Sequence, residues 1–458
     1  MKLALVGGGG VRSPLFVMSL LNWQKRIGVD ELCLMDIDAR KLDLFGAVCR
    51  QIVKRAGDPF KITTTLDART AFEGARHVVT TIRAGQDFGR AIDERIALKH
   101  GVLGQETTGP GGFAMAMRSI PALLEYARLL QEVSPGAWMY NFTNPAGLVT
   151  QALRDSGFTR TVGICDGANG GQGAIAAWAG VDMAQVRAEV FGLNHLSWCR
   201  RAFIGEKNVL PAALADDRFL ADMQHLFEPD LVRQIGMHCN EYLYYYYYAE
   251  QALQAVLSES KSRGEEIVEL NQRLLEQLEE VDIERNPEQA LRIFFGYEKR
   301  RGATYMHYAY GGTSIADADR QLVFDADIPD MAGEGYAGVA LAVIEALEHG
   351  GPLHIALNVP NQGAIQGMAR DDVVEVSCRV DGDGIHVMDI GQIPPAQLNL
   401  MKTIKLYEHL SIEAILTCAR TKAVEALMVH PLVLSYPRAK ALVDDYLNAH
   451  IDLVGEWK

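Results

Sequence analysis

Short, largely apolar runs alternate with longer segments of helical spacing along the first part of the chain. The apolar runs lie at residues 3–7, 32–35, 77–82, 138–141 and 162–165. Continuous apolar runs of this length are typical of strands that are buried on both faces of a parallel sheet. Strands that alternate with helices predict right-handed βαβ units, and therefore an α/β fold with a doubly wound parallel sheet.

Two of the predicted helices share a starting signal, in which a polar residue precedes a proline. Ser13-Pro14 and Asn144-Pro145 each place a side chain suited to the N-cap directly before a proline at the first helical position. The sequence therefore predicts that Ser13 and Asn144 cap the helices that follow them.

From about residue 185 the pattern changes to alternating strands and longer helices. Strands are predicted near residues 188–204 and 372–390, and helical stretches at 241–283, 335–349 and 402–450. We interpret the chain as two domains without a flexible linker between them. The first, over residues 1–185, is the doubly wound domain, and an intimately packed α+β domain follows over residues 186–458.

Composition narrows the class of protein. The 458 residues are 48% hydrophobic and 22% charged, as in ordinary globular enzymes. A formal charge of −14 argues against a nucleic-acid partner, which favours a basic surface. No apolar run is long enough to span a bilayer, the start lacks a secretion signal, and seven cysteines without a Cys-x-x-Cys pair fit reduced thiols. We therefore expect a cytoplasmic protein with no membrane partner.

The glycines after the first strand predict a dinucleotide site of the Rossmann type. Such glycines let the main chain approach a pyrophosphate at a helix N-terminus, although Arg12 stands where a third glycine is usual. Asp36 ends the second strand and is placed to accept both ribose hydroxyls, which favours NAD+ over NADP+. A structural turn with a capping aspartate is the alternative. The residues expected to bind the cofactor are Gly7, Gly8, Gly9, Gly10, Val11, Arg12, Asp36, Arg40 and Arg83.

A cysteine and a histidine are candidates for the reactive end of the same site. Cys165 ends a strand at the carboxyl edge of the sheet, where open α/β sheets bind ligands, and His195 follows within Gly-Leu-Asn-His. Taken singly, each residue type is more often an ordinary core residue. Their position after the dinucleotide motif favours a site, but their spacing does not identify a metal.

Two further segments are rich in candidate binding groups. Residues 83–118 combine several arginines with a glycine-proline loop, which indicates either a solvated face or main chain that closes over a ligand. The tyrosines at 244–248 are typical of a helix that packs against a core, whereas Tyr242 could present its phenol to a pocket. Periodicity does not decide between these roles.

Taken together, the motifs resemble glycoside hydrolase family 4, the NAD-dependent glycosidases, and most of all its 6-phospho-β-glucosidase branch. The resemblance runs almost end to end. It is carried by Gly-Gly-Gly-Gly-Val-Arg-Ser-Pro (7–14), Asp-Glu-Arg-Ile (93–96), Gly-Gln-Glu-Thr-Thr-Gly-Pro-Gly-Gly (104–112), Asn-Phe-Thr-Asn-Pro-Ala-Gly (141–147), Gly-Leu-Asn-His-Leu (192–196) and Asn-Val-Pro-Asn-Gln-Gly-Ala-Ile (358–365). The fold implied is that of lactate and malate dehydrogenases, with a C-terminal domain for substrate, metal and oligomer contacts.

The family's mechanism explains why a glycosidase carries a dinucleotide site, and it is an exception to hydrolysis by two carboxylates. The resemblance implies that NAD+ takes a hydride from C3 of the sugar, which acidifies the hydrogen on C2. A base removes that proton, the C1–oxygen bond breaks by elimination, water adds, and the hydride returns. A divalent metal polarises the C3 carbonyl. The expected cofactors are therefore NAD+ and a divalent ion, with Mn2+ implied by the resemblance alone.

The resemblance also implies a role for individual residues. Tyr242 would be the C2 base and Asp166 a candidate acid for the leaving group. Cys165 and His195 would be the metal ligands, and the substrate contacts would be Arg95, Glu106, Asn144 and Arg301. Two segments depart from the family's pattern, Gly167–Gln172 after the acid and Arg301–Met306 near the expected phosphate. These departures affect which glycoside is cut and whether a 6-phosphate is required.

The leading hypothesis is an NAD+- and metal-dependent glycosidase that acts on a 6-phospho-β-glucoside, assembled as a homodimer or homotetramer. The alternatives are the same mechanism on a glycoside without phosphate or of another configuration, and a net NAD-dependent dehydrogenase of the lactate/malate type. A sensor that kept the fold but lost turnover is a third hypothesis. Cys165 and Tyr242, which a dehydrogenase does not need, argue against the second alternative.

Overall fold

A computed structural model describes residues 1–310, 322–330 and 337–458. The amino-terminal half is built on six parallel strands in the order β3-β2-β1-β4-β5-β6, with each neighbouring pair in parallel register. This is the strand order of a Rossmann fold, so the predicted doubly wound sheet is confirmed. The strands are β1 (Lys2–Val6), β2 (Glu31–Met35), β3 (Lys61–Thr65), β4 (Ala75–Thr80), β5 (Trp138–Asn141) and β6 (Thr161–Gly163).

Helices connect these strands. The prediction that Ser13 and Asn144 cap two of them is wrong, because the N-cap residues are Arg12 and Pro145. Ser13 is the first residue of its helix, and its hydroxyl lies 3.5 Å from the carbonyl oxygen of Gly7. The helix after Asn144 begins at Ala146, and the amide of Asn144 donates to Glu106 instead of capping. The helices are α1 (Ser13–Ile27), α2 (Ala39–Arg55), α3 (Ala68–Phe72), α4 (Gln86–Lys99), α5 (Pro110–Val133), α6 (Ala146–Asp155) and α7 (Gly170–Ala179).

The strands of the second half extend the same sheet. β11 pairs with β6 in antiparallel register, and the order continues as β12, β7, β8 and β10, which gives 13 strands among the described residues. The strands predicted near residues 188–204 form a hairpin, and His195 lies in the turn between them. The bounds are β7 (Val186–Leu193), β8 (Leu196–Ile204), β9 (Lys207–Asn208), β10 (His238–Cys239), β11 (Leu353–Pro360), β12 (Val373–Asp381) and β13 (Gly384–Val387). The domain boundary at 185/186 stays a prediction.

The long helices predicted for this half are broken into shorter ones. The predicted stretch 241–283 is interrupted at Tyr248 and again before Ser262, whose hydroxyl caps a new helix in a capping box with Glu265. The stretch 402–450 is interrupted at Cys418, which adopts a left-handed φ of 50°. Of the stretch 335–349, residues 335 and 336 lie outside the described residues, and the helix begins at Gly338.

The bounds of the helices in this half follow from those interruptions. They are α8 (Leu210–Ala215), α9 (Asp217–Met223), α10 (Pro229–Ile235), α11 (Tyr244–Tyr247), α12 (Ala249–Ser258), α13 (Arg263–Glu279), α14 (Pro287–Ala303), α15 (His307–Tyr310), α16 (Gly338–His349), α17 (Pro395–Thr417), α18 (Arg420–Val429), α19 (Tyr436–Ala449) and α20 (Ile451–Val454). Among the described residues, none of the helices has the length and apolar character needed to cross a membrane.

Candidate active site

A cavity of about 1410 Å³ opens over the carboxyl ends of the parallel strands. Residues within two positions of the ends of β1, β4, β5 and β6 line it, namely Gly7, Thr81, Phe142 and Cys165. β1 and β4 are the neighbouring strands between which the order of the sheet reverses, the usual ligand position in open α/β sheets. Helices α13 and α14 of the second half form the opposite wall.

Main-chain groups form one end of the cavity. The carboxylate of Asp36 accepts hydrogen bonds from the backbone N–H of Gly9 at 2.9 Å and of Asp38 at 3.0 Å. Gly8 packs below the loop, where a Cβ would lie 2.7 Å from the Cβ of Leu34. Glycine at this position therefore lets the loop lie directly against β2, where a side chain would not fit. Of the predicted cofactor residues, all but Gly8 line the cavity: Gly7, Gly9, Gly10, Val11, Arg12, Asp36, Arg40 and Arg83.

Two arginines of the first half pair with helices of the second half across this end. Arg40 donates to Glu279 of α13, with 2.8 Å between Nη2 and Oε2. Arg12 lies 3.3 Å from Glu298 of α14. Both halves of the molecule therefore surround the space in which a dinucleotide would lie.

Glu106 is surrounded by positive charge deeper in the cavity. Its carboxylate accepts from Arg83, lies 3.4 Å from Arg90, and accepts from the side-chain amide of Asn144 at 3.3 Å. Burial would raise the pKa of Glu106, but the guanidinium groups of Arg83 and Arg90 lower it. Glu106 is therefore ionised, and it is joined to both Arg83 and Asn144 as one polar group.

Cys165, His195 and Tyr242 come together beside Glu106. The rings of His195 and Tyr242 stack at 3.6 Å with an angle of 4° between their planes. A Cβ built on Gly167 would lie 3.7 Å from the sulfur of Cys165 and 3.8 Å from Cε2 of Tyr242. Segments far apart in the chain thus converge on one point of the cavity.

The burial and protonation of His195 and Cys165 are compatible with a role as metal ligands. Nδ1 of His195 is buried without a hydrogen-bond partner among the described residues, and burial lowers the pKa of His195 to about 3, so the ring is neutral. Burial raises the pKa of the Cys165 thiol, which a bound cation would reverse. In the part of the chain that the structure describes, no group of three or more His, Cys, Asp and Glu side chains could hold a metal ion.

Asp166 begins a 3-10 turn over Asp166–Asn169 and lines the same cavity. Burial raises its pKa to about 6, although the charge of Arg12 lowers it. A carboxyl group of that pKa exists partly in its protonated form near neutral pH, as a proton donor requires.

A chain of hydroxyl groups around Tyr242 was not predicted from the sequence. The hydroxyl of Tyr305 donates to a carboxylate oxygen of Glu241 at 2.7 Å and lies 2.8 Å from the hydroxyl of Tyr242. Because the proton of Tyr305 is engaged with Glu241, Tyr242 is the donor of the second bond. Tyr245 is buried and pairs with Tyr308, so the tyrosine tract contributes both core and cavity wall. The partly matching motif at 301–306 was the available signal for Tyr305.

Arg301 lines the cavity, whereas Arg95 does not. Nε and Nη1 of Arg301 are buried without hydrogen-bond partners among the described residues. Arg95 lies on the outer face of α4, 45% exposed, and pairs with Glu265. Arg90 and Glu94, one helical turn apart, occupy the inner face of α4, and Arg95 is rotated away from it. Arg95, which was predicted to contact the substrate, therefore lies outside the cavity.

The chain belongs to glycosyl hydrolase family 4. The model for family 4 glycosyl hydrolases matches residues 2–181, and the model for the family's C-terminal domain matches residues 190–433. The resemblance found in the sequence motifs is thereby confirmed.

Similar proteins include enzymes for both anomers of phosphorylated glucosides. A probable 6-phospho-beta-glucosidase of Bacillus subtilis is 32% identical over 98% of this chain and 96% of its own. The phospho-alpha-glucosidase PagL of Clostridium acetobutylicum is 28% identical over 98% of this chain and 97% of its own. The 6-phospho-beta glucosidase from Thermotoga maritima, solved with manganese, NAD+ and glucose-6-phosphate, is 26% identical, with a TM-score of 0.82 and full coverage of both chains.

Proposed function

We propose that this protein hydrolyses 6-phospho-β-glucosides with NAD+ and Mn2+ as cofactors. The observation that carries the proposal is the meeting of Cys165, His195 and Tyr242 in the cavity whose other end is the glycine loop with Asp36. The relative solved with NAD+, manganese and glucose-6-phosphate, which is named a 6-phospho-beta glucosidase, supports it. The preference for the β anomer rests on the Bacillus subtilis relative and on the sequence motifs.

Residues at the two ends of the cavity would hold the two cofactors. The loop at Gly7–Arg12 and the carboxylate of Asp36 suit a pyrophosphate and a ribose, respectively. Cys165 and His195 would bind the cation and leave its other positions to substrate and water, as catalytic metal sites do. When bound, NAD+ supplies a reversible hydride acceptor, and the cation supplies a Lewis acid for the oxidised sugar.

Tyr242 takes the proton from C2 of the sugar in this proposal. Burial raises the pKa of its phenol, with the charge of Glu241 acting in the same direction. The phenol therefore needs a route by which its own proton can leave. The bonds from Tyr242 to Tyr305 and from Tyr305 to Glu241 provide a hydrogen-bonded path to a half-buried carboxylate.

The remaining side chains bind the sugar and assist the leaving group. Asp166 would donate a proton to the glycosidic oxygen, since its raised pKa keeps part of it protonated. Asn144, held by the ionised Glu106, is placed to contact sugar hydroxyls. The buried guanidinium of Arg301 would bind the 6-phosphate, because a forked cation suits that anion.

The test is hydrolysis of chromogenic glucosides by the purified protein with added NAD+ and Mn2+. We expect turnover of the 6-phosphorylated β-glucoside above both its α anomer and the glucoside without phosphate. Removal of the metal with EDTA, or of NAD+ by dialysis, should abolish turnover, and Mn2+ with NAD+ should restore it. Full activity without either cofactor would refute the proposal.

Two measurements separate the alternatives. A net dehydrogenase would accumulate NADH in proportion to product, whereas the proposed enzyme regenerates NAD+ and leaves absorbance at 340 nm unchanged at steady state. A sensor would bind the substrate without turnover in any combination of cofactors. A homodimer or homotetramer, and a cytoplasmic location, stay predictions, and light scattering of the purified protein tests the first.

A further inference from the structure

A fully buried carboxyl group lies in the sheet beside the catalytic segments. Glu375 is on β12, where the strand register places it between Asn358 of β11 and Gly192 of β7. Its side chain is 0% exposed. The side-chain amides of Asn358 and Asn194 both donate to its Oε1, at 3.1 and 3.4 Å. Glu375 therefore joins β12 to β11 and to the turn between β7 and β8 through side chains.

One branch of this network leads to His195. Asn194 directly precedes His195 in the turn between β7 and β8, and its amide donates to Glu375. The carbonyl oxygen of the same amide accepts the backbone N–H of Gly147 at 3.4 Å. A Cβ on Gly147 would lie 2.8 Å from the Cβ of Asn194, so α6 begins in direct contact with this turn. Asn194 thus fixes the turn of His195 between Glu375 and the segment that follows Asn144.

A neighbouring set of hydrogen bonds, centred on Asn240, leads to Cys165 and Tyr242. The hydroxyl of Ser197 on β8 accepts from the amide of Asn240 at 3.2 Å, whereas Oε2 of Glu375 has no hydrogen-bond partner among the described residues. The same amide group donates to the carbonyl oxygen of Gly167, two residues after Cys165, at 3.2 Å. The other end of the Asn240 side chain accepts the backbone N–H of Tyr242 at 3.0 Å. Asn240 therefore ties the segments of Cys165 and Tyr242 to β8, which begins just after the turn of His195.

Burying the carboxyl group of Glu375 costs free energy of folding, so its presence here calls for a role. Other buried acids of this chain are paired with bases, such as Asp93 with Arg118 and Glu94 with Arg90. Among the described residues, no basic side chain forms an ion pair with Glu375, and burial raises its pKa to about 7. An apolar residue in the middle of a sheet would avoid the cost of desolvation. What Glu375 gains there is the pair of hydrogen bonds that its Oε1 accepts from Asn358 and Asn194.

We propose that Glu375 is a positioning residue of the cation site, which holds the turn of His195 in place through Asn194, next to the segments that Asn240 joins to β8. The inference rests on the proposed function, because it assigns the cation to Cys165 and His195. Glu375 itself is beneath the site and contacts neither substrate nor cation. Side chains that orient metal ligands in this way typically account for about 10- to 100-fold in metal affinity or activity.

The experiment measures Mn2+ binding directly, from the loss of the EPR signal of free Mn2+ on titration with the NAD+-loaded protein. The variants are Glu375→Ala, which removes the carboxyl, and Glu375→Gln, which keeps an acceptor oxygen in the same shape. Asn194→Ala removes only the hydrogen bond between Glu375 and the turn of His195. It replaces Glu375→Ala in the experiment if that variant does not fold. The matched control is Ser377→Ala on the same strand and face, where the hydroxyl bonds the backbone of β7 at Val190 and Ala188.

We expect Glu375→Ala and Asn194→Ala to weaken Mn2+ binding by about tenfold or more, and Glu375→Gln to stay within about threefold of the wild type. Ser377→Ala should lower the melting temperature without weakening Mn2+ binding. Wild-type affinity in both Glu375→Ala and Asn194→Ala would overturn the positioning role, and so would equal losses in Glu375→Ala and Glu375→Gln. A wild-type protein that binds no Mn2+ would instead refute the proposed function itself.

Discussion

The two ends of the cavity are built in different ways. At the end where the proposal places NAD+, here called the dinucleotide end, the glycine loop lines the cavity and Asp36 holds that loop by accepting from backbone N–H groups. At the other end, where the proposal places the sugar, side chains from separate segments meet: Asn240 contacts the segments of Cys165 and Tyr242, and Glu375 contacts the turn of His195 through Asn194. The first end is a local structure that follows directly from its sequence. The second exists only when the whole sheet has formed, so single side chains matter more there.

The largest effect is expected at the sugar end, from Tyr242→Phe. The variant keeps the ring that stacks on His195 but lacks the hydroxyl that would accept the C2 proton. Loss of a general base costs about 10²- to 10⁴-fold in kcat. Exchange of the C2 hydrogen with solvent deuterium, followed by NMR, should stop as well, while NAD+ and Mn2+ still bind. Continued exchange would show that another group is the base.

At the dinucleotide end, Asp36→Ala tests whether the glycine loop depends on the carboxylate that accepts from its backbone. The change removes the acceptor for Gly9 and the expected partner of the ribose hydroxyls. Hydrogen bonds to charged groups contribute about 1.5–3 kcal/mol, which is roughly ten- to a hundredfold in affinity. Fluorescence titration should show NAD+ binding weakened by that factor, with Mn2+ affinity unchanged. A parallel loss of Mn2+ binding would contradict the separation of the two ends.

A smaller effect is expected from Tyr305→Phe, which breaks the path from Tyr242 to Glu241 but leaves the base in place. A single hydrogen bond contributes about 0.5–1.5 kcal/mol, so kcat should fall by about two- to tenfold, with KM little changed. Tyr308→Phe is the control, since it removes the same group from the neighbouring pair with Tyr245. Equal effects of the two variants would rule out a special role for Tyr305.

The smallest effect is expected from Arg95→Ala. The ion pair of Arg95 with Glu265 lies on the outer face of α4, and such exposed pairs contribute about 0.2–1 kcal/mol or less. KM for a phosphorylated substrate should stay at the wild-type value, whereas Arg301→Ala should raise it. A raised KM in Arg95→Ala would restore this residue to the substrate site.

The same contrast explains what could be predicted from the sequence. Strand, glycine loop and Asp36 follow one another in the chain, so the dinucleotide end was visible as a local pattern. Motifs located Cys165 and His195, but a motif does not show which face of a helix a residue occupies, and Arg95 was misplaced for that reason. Glu375 and Asn240 carry no local pattern. Their roles depend on strand register between distant segments, which hydrophobic periodicity does not encode.

The antiparallel pairing of β6 with β11 has a consequence for how the molecule comes apart. If one half unfolded alone, the other half would lose the strand that pairs with its edge strand. Apolar surface of both halves would then be exposed to water. Heating should therefore give one cooperative transition in calorimetry, without a folded half-molecule as intermediate. By the same argument, NAD+ bound at one end should protect amide hydrogens from exchange in strands well beyond its own contacts.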